Sequence, residues 1–232
     1  MDKDYQELKE WLDKTKDEPL ETMAGFFDAR IDLYEEHMAR WQGYYEWMAE
    51  LLPVSTESLL DIGCGSGLEL DYIFDRFPNL QTVGVDFSKE MLQKLYTKHH
   101  DKNLFLVRED YFTYDMGDER FDAVVSFQTL HHYTAEKKKL LFQKIVDCLK
   151  PDGVYLECDY IATSQAIEDL AFSECRRRRL RDGIKGDVFV HFDTPLTLEH
   201  ELNAIRTAGF EVVELVGFLP GDNHTAMIRA KK

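Results

Sequence analysis

Apolar positions in the first quarter of the chain follow a helical rhythm. Residues 5 to 12 set Tyr5, Leu8 and Leu12 on one face of a short helix, and Pro19 lies in the break after it. Phe27, Ile31, Tyr34, Met38, Trp41, Tyr45, Met48 and Leu52 then recur at steps of four and three, which keeps one apolar stripe on one side of a long helix. Pro53 limits that helix. The stripe needs a docking surface, and its aromatics are suited to facing a ligand. Residues 1–52 are therefore expected to form an N-terminal helical lid.

After Ser55 the period changes. Ser58 to Ile62 reads as a short buried strand ending in Gly63-Cys64-Gly65-Ser66-Gly67, with a helix to about Phe77. Gln81 to Val85 is a second strand closed by Asp86. Ser88 caps a helix to about His99, Asn103 to Val107 and Phe121 to Ser126 are strands, and Thr134 caps a helix to Leu149. Pro151-Asp152-Gly153 turns into a fifth strand, Val154 to Cys158. Such alternation predicts an α/β fold with a parallel sheet covered on both faces. Residues 160–195 interrupt it with a helix and an arginine run. Thr197 caps another helix that closes at Ala208-Gly209. Glu211 to Val216 and His224 to Ala230, separated by Pro220-Gly221-Asp222-Asn223, predict an antiparallel terminal pair.

Composition narrows the function. The 232 residues are 44% hydrophobic and 31% charged, enough for a sizeable core. No apolar run approaches the ~18 residues of a membrane span, and MDKDYQELKE lacks a signal core, so a cytoplasmic protein is expected. The net charge of −16 opposes bulk binding to nucleic acid or anionic membranes. Cys64, Cys148, Cys158 and Cys175 form no CxxC pair, and the histidine pairs 99-100 and 131-132 lack the i, i+4 spacing of a helical zinc site. No metal site is expected.

The glycines at 63, 65 and 67 let the backbone turn sharply and admit a ligand close to it, at the edge of the sheet where ligands bind. Asp86 ends the next strand, where a carboxylate can accept from both hydroxyls of a ribose. A dinucleotide fingerprint needs glycine where Leu68 stands, and Glu69 opposes a pyrophosphate. The joint pattern points to a phosphate-free nucleoside.

These blocks resemble the class I S-adenosylmethionine-dependent methyltransferases. The likeness runs from Leu59-Leu60-Asp61-Ile62-Gly63-Cys64-Gly65-Ser66-Gly67 through Val83 to Ser88, Glu109-Asp110-Tyr111, Phe121 to Ser126 and Leu149 to Gly153, across about residues 55 to 160. The N-terminal helices, the FQTLHHY segment and the late insertion resemble the branch that methylates small molecules and quinone precursors. The resemblance implies a Rossmann-like seven-stranded sheet of order 3-2-1-4-5-7-6 with strand 7 antiparallel. Residues 53–232 would form that methyltransferase domain, with the 160–195 insertion over the acceptor site. It also implies S-adenosyl-L-methionine as cofactor, its methionine part over Gly63, Cys64, Gly65 and Gly67. Asp61 would orient the loop and the ammonium group, and Asp86 would hold the ribose. Phe87 would lie against the adenine, Asp110 would accept from its amine, and the Tyr111 backbone would lie at the ring edge. Ser126 and Phe127 would border the sulfonium.

Methyl transfer from a sulfonium needs two partners held in line, with a general base only if the acceptor arrives protonated. His131, after the fourth strand, is the candidate base, with His132 second. Tyr34 or Arg30 of the lid could meet the cofactor's carboxylate, and His191 and Asp193 are further acceptor-site candidates. Arg176 to Arg179 and Arg181 would either select an anionic small-molecule acceptor or pair with the acidic N-terminal helices or a second subunit, in a monomer or homodimer. Three other readings stay open: a nicotinamide-dependent oxidoreductase, a non-catalytic nucleoside-binding protein, and a cofactor-modifying enzyme of the carboxy-S-adenosylmethionine synthase type.

Overall fold

A computed structural model describes residues 3–186 and 188–232; Met1 and Asp2 of the expected lid and Asp187 of the expected insertion lie outside the described residues. The strands β1 (Ser58–Ile62), β2 (Gln81–Asp86), β3 (Leu104–Arg108), β4 (Phe121–Phe127), β5 (Leu149–Tyr160), β6 (Val212–Gly217) and β7 (Thr225–Lys231) form one sheet in the order β3-β2-β1-β4-β5-β7-β6. The first five run parallel, and β7 lies antiparallel between β5 and β6. This is the topology expected from the sequence. β5 begins earlier than Val154: Leu149 already pairs with Phe121, and the Pro151-Asp152-Gly153 turn is an irregularity within the strand, with Asp152 at φ 64°.

Adjacent strand residues feed opposite faces. On one face Leu59, Val125, Leu156 and Cys158 pack with residues of α4 (Gln42–Leu51), α5 (Leu68–Arg76) and α6 (Lys89–His99). On the other, Leu60, Val124 and Tyr155 pack with α7 (Ala135–Cys148) and α9 (Leu198–Thr207). The expected caps are present: Ser88, Thr134 and Thr197 accept from Met91, Lys137 and His200 N–H groups.

The N-terminal segment departs from the expected long helix. It is split into α2 (Met23–Asp28), α3 (Ile31–Met38), a 3-10 turn at Ala39–Trp41, and α4. A straight helix from Phe27 to Leu52 would extend about 39 Å. It could not both pack Tyr45, Met48 and Leu52 into the core and bring Phe27 and Tyr34 over the ends of the strands. α1 (Lys3–Lys14) docks elsewhere, on α8 (Gln165–Arg181).

That docking accounts for most of the arginine run. Arg178 is buried; its guanidinium donates to the Leu12 carbonyl, Thr15 Oγ1 and Glu174. Arg177 donates to Glu174 and the Lys16 carbonyl, and Arg181 to the Lys16 and Glu18 carbonyls and to Asp182. Arg179 holds the carbonyls of Lys185 and Val188. Contact with the N-terminal segment is made by Arg177, Arg178 and Arg181, through its backbone carbonyls and Thr15 rather than its acidic side chains. The five arginines lie outside the lining of the large cavity described next.

Candidate active site

β1 delivers its chain into a loop of three left-handed glycines, Gly63, Gly65 and Gly67, at φ 69°, 47° and 70°. A Cβ on Gly63 would fall 2.2 Å from Thr129 Oγ1, and one on Gly67 would fall 2.4 Å from a Leu95 methyl. These two glycines permit close packing. Gly65 is different: the nearest atom to an added Cβ is the Tyr34 hydroxyl, 3.6 Å away, so its backbone faces open space. Its N–H donates to Asp86 Oδ2 at 2.9 Å, while Asp86 Oδ1 accepts from Ser88 N–H at 2.8 Å. Asp86 thus fixes the loop as well as facing the cavity.

Three carboxyl groups surround this loop. Asp61 is fully buried and both its oxygens lack a hydrogen-bond donor. Burial, then the neighbouring Glu69 and Asp86, push its pKa up. Burial also raises Glu69 to about 7 and lifts Asp86. The loop therefore sits among crowded carboxyl groups with orphaned oxygens on Asp61, which a cationic ammonium or sulfonium would draw into the charged form and a pyrophosphate would not.

A cavity of about 70 Å³ lies over the loop, lined by Gly63, Gly65, Asp86, Phe87, Tyr111, Phe127 and Thr129, with Phe27 and Tyr34 from the N-terminal helices. A second, of about 960 Å³, adjoins it and shares Phe27, Tyr34, Gln128 and His132. Its wall carries Phe26, Trp41, Tyr44 and Tyr160, the polar groups His131, His191, Asp193 and Asp222, and Arg30 and Arg40. Gln128, at the junction, has φ 49° and a buried Nε2 without an acceptor. Strain and an unmet donor at one residue are typical of a ligand site.

Several expected site residues take other positions. The Ser126 hydroxyl is bonded to Tyr155 at 2.7 Å and does not line the cavity; Phe127, Gln128 and Thr129 do. Strand alternation turns Ser126 away when it brings Phe127 in. Cys64 is turned into the core against Gly84, which leaves only its backbone at the loop. Asp110 Oδ1 closes a turn by accepting from Phe112 N–H, and the Tyr111 hydroxyl contacts Tyr133. Arg30 reaches the large cavity, but its guanidinium is paired with Glu21 and stacked on Phe26.

His131 is held between two carboxylates. Its Nδ1 lies 2.5 Å from Asp159 and its Nε2 3.4 Å from Asp193. Burial works against its charge, but the two carboxylates outweigh it and raise its pKa to about 10. Carboxylates at both ring nitrogens favour the protonated ring, which weighs against the expected role as general base. His132 is the neutral partner: burial and the His131 charge lower it to about 3. Asp159 was missed by the sequence reading. An acid at the carboxyl end of β5, where open α/β sheets bind ligands, was the available signal.

Comparison with known proteins agrees with this geometry. Residues 60–155 match the family model described as a methyltransferase domain. Over those residues the chain is similar to the S-adenosylmethionine-dependent methyltransferases. Its cofactor is S-adenosyl-L-methionine. The chain is 20% identical over 226 residues to a carboxy-S-adenosyl-L-methionine synthase of Nautilia profundicola, covering 88% of this chain and 94% of that one. It is 30% identical over 122 residues to a phosphoethanolamine N-methyltransferase of Plasmodium falciparum, covering 52% of this chain and 46% of that enzyme, about half its length. In fold it is similar to human N-acetylserotonin methyltransferase in complex with SAM, with a TM-score of 0.65 at 16% identity, covering 91% of this chain and 59% of the human one. Among the described residues no helix is long and apolar enough to cross a membrane.

Proposed function

We propose that the chain moves a methyl group by in-line displacement onto a small-molecule acceptor held in the 960 Å³ cavity. The observation that carries this is the shared wall of the two cavities: Phe27, Tyr34, Gln128 and His132 border both, so a ligand over the glycine loop and one in the larger space would meet there. The volume suits a small molecule. Bound S-adenosylmethionine supplies a methyl carbon already activated by a cationic sulfur.

The chain's own groups bind and orient. Gly63 and Gly65 present backbone to the methionine part, and Asp61 offers its unsatisfied carboxylate to the ammonium. Asp86 accepts from the ribose while its bonds to Gly65 and Ser88 keep it in place. Phe87 covers the adenine, Tyr111 borders the ring, and Asp110 receives its amine through Oδ2. Tyr34 and Phe127 place aromatic surface near the sulfonium. Gln128 gives its free amide hydrogen to the acceptor or to the cofactor's carboxylate. The acceptor's proton, where it has one, goes to water or to a carboxylate of the cavity such as Asp193, since both nitrogens of His131 face carboxylates. Incubation with methyl-labelled cofactor and a metabolite extract should yield a labelled small molecule; label found only on protein or RNA would reject the reading.

The full-length likeness to a carboxy-S-adenosyl-L-methionine synthase supports a second reading, in which the cofactor itself is modified. Arg30 and Arg40 on the cavity wall could then hold a carboxylate. Mass spectrometry of the released nucleoside separates the two: loss of a methyl group marks transfer, and gain of a carboxyl group marks modification.

A further inference from the structure

We propose that His131, His132 and Asp193 form a binding site for one divalent first-row transition cation on the wall of the larger cavity. Asp193 Oδ1 lies 3.4 Å from His131 Nε2 and 3.5 Å from His132 Nδ1. The three ligand atoms all lie within 4.8 Å of one another. For metal–ligand bonds of roughly 2.1 Å, the edge of a tetrahedron is about 3.4 Å, so the two short separations already match a shared ion. The remaining separation, between the two imidazole nitrogens, is within 4.8 Å and would close by rotation of the His132 ring.

The support behind the ligands is built in the way a metal site requires. Asp159, buried at the end of β5, holds His131 Nδ1 at 2.5 Å and directs Nε2 toward Asp193. Asp159 is itself fixed by the N–H groups of Leu130 and Tyr160, each at 2.8 Å. A carboxylate on the far nitrogen of a ligating histidine sets its tautomer and strengthens it as a donor. His132 joins as the tautomer with its lone pair on Nδ1. The competing arrangement, His132 Nδ1–H donating to the Phe192 carbonyl 3.2 Å away, leaves no lone pair for an ion.

Two imidazoles and one carboxylate suit manganese, iron, cobalt, nickel or zinc better than magnesium or calcium. Three protein ligands leave open positions, as catalytic rather than structural sites do. All three residues line the large cavity, so the open positions would face the acceptor. An acceptor offering oxygen, such as a hydroxyl or carboxylate, is the class such an ion would take. That last step rests on the acceptor-cavity reading; the metal site does not.

The test uses the chelator-stripped full chain titrated with Co²⁺, Mn²⁺ and Zn²⁺ by calorimetry, with visible absorption of the cobalt form as a second readout. One equivalent should bind. Asp193→Ala should weaken binding at least tenfold, and Asp159→Asn roughly 10- to 100-fold. Asp193→Asn, of the same shape, covers the case in which the alanine variant folds poorly. The thermal shift with S-adenosylhomocysteine should persist in these variants, because the glycine loop is separate. Absence of saturable binding by all three ions, or binding undiminished in both Asp193 variants, overturns the inference. Loss of the S-adenosylhomocysteine shift in the wild type would instead count against the methyltransferase reading.

Discussion

Single atoms separate the three glycines of the loop. Gly63→Ala meets Thr129 at 2.2 Å in a left-handed conformation, whereas Gly65→Ala meets nothing closer than 3.6 Å. Gly65→Ala should therefore cost only the left-handed penalty, about 1–2 kcal/mol, yet lose most of the cofactor-induced thermal shift because its methyl fills the ligand's space. Gly63→Ala should lose stability more heavily. Equal unfolding midpoints for the two, or a Gly65→Ala protein with wild-type cofactor affinity, would contradict the assignment. Glu69 yields a second test at this scale. Its folded pKa of about 7 lies above the ordinary 4.5, so its proton favours the fold: that contribution is complete below pH 4.5 and is lost as pH rises through 7. Glu69→Gln should match the wild type near pH 4 and exceed it by on the order of 3 kcal/mol by pH 8, read from urea midpoints. A constant difference across that range would show that the carboxyl does not titrate there.

Helices contribute through what they hold in place. α8 spends its arginines on the segment between α1 and α2, and Arg178 is the buried member. Arg178→Ala should cost roughly 2–4 kcal/mol, since it strips donors from the Leu12 carbonyl and Thr15 and leaves Glu174 less well paired. Arg176→Ala, on the exposed side, should fall within about 0.5 kcal/mol of wild type. Neither should raise the acceptor's KM. A KM increase at Arg176 with an unchanged melting temperature would restore the arginine run as an acceptor contact.

Across the whole molecule, the roof of the two cavities is made by α2 and α3, while α4 belongs to the core. The break between α2 and α3 puts Arg30 at a helix junction, and Arg40 lies in the 3-10 turn. If the roof closes on ligand, S-adenosylhomocysteine should slow tryptic cleavage at both arginines by several-fold relative to the exposed arginines of α8. Cleavage rates unchanged by a ligand that raises the melting temperature would reject a lid role for this segment.

The strands and the glycine loop are legible in the sequence because their signals are local, whereas the strand order is what the family resemblance implies. Strand period, caps at Ser88, Thr134 and Thr197, and a run of closely spaced glycines are all read within a few residues. The direction of a strand side chain is also local in principle, and Ser126 was assigned to the wrong side only because the family position was followed over the alternation. The long apolar stripe of residues 27–52 could not reveal its own breaks, since periodicity survives a change of axis at Ala29 and Ala39. The roles of the charged groups were beyond local reading altogether. His131 owes its ring orientation, its raised pKa and its place in a candidate metal site to Asp159 and Asp193, 28 and 62 positions away along the chain. Arg177, Arg178 and Arg181 became structural through carbonyls more than 150 positions earlier. A side chain's secondary structure follows from its neighbours in sequence, but its charge state follows from its neighbours in space, which the parallel crossovers of the sheet bring together.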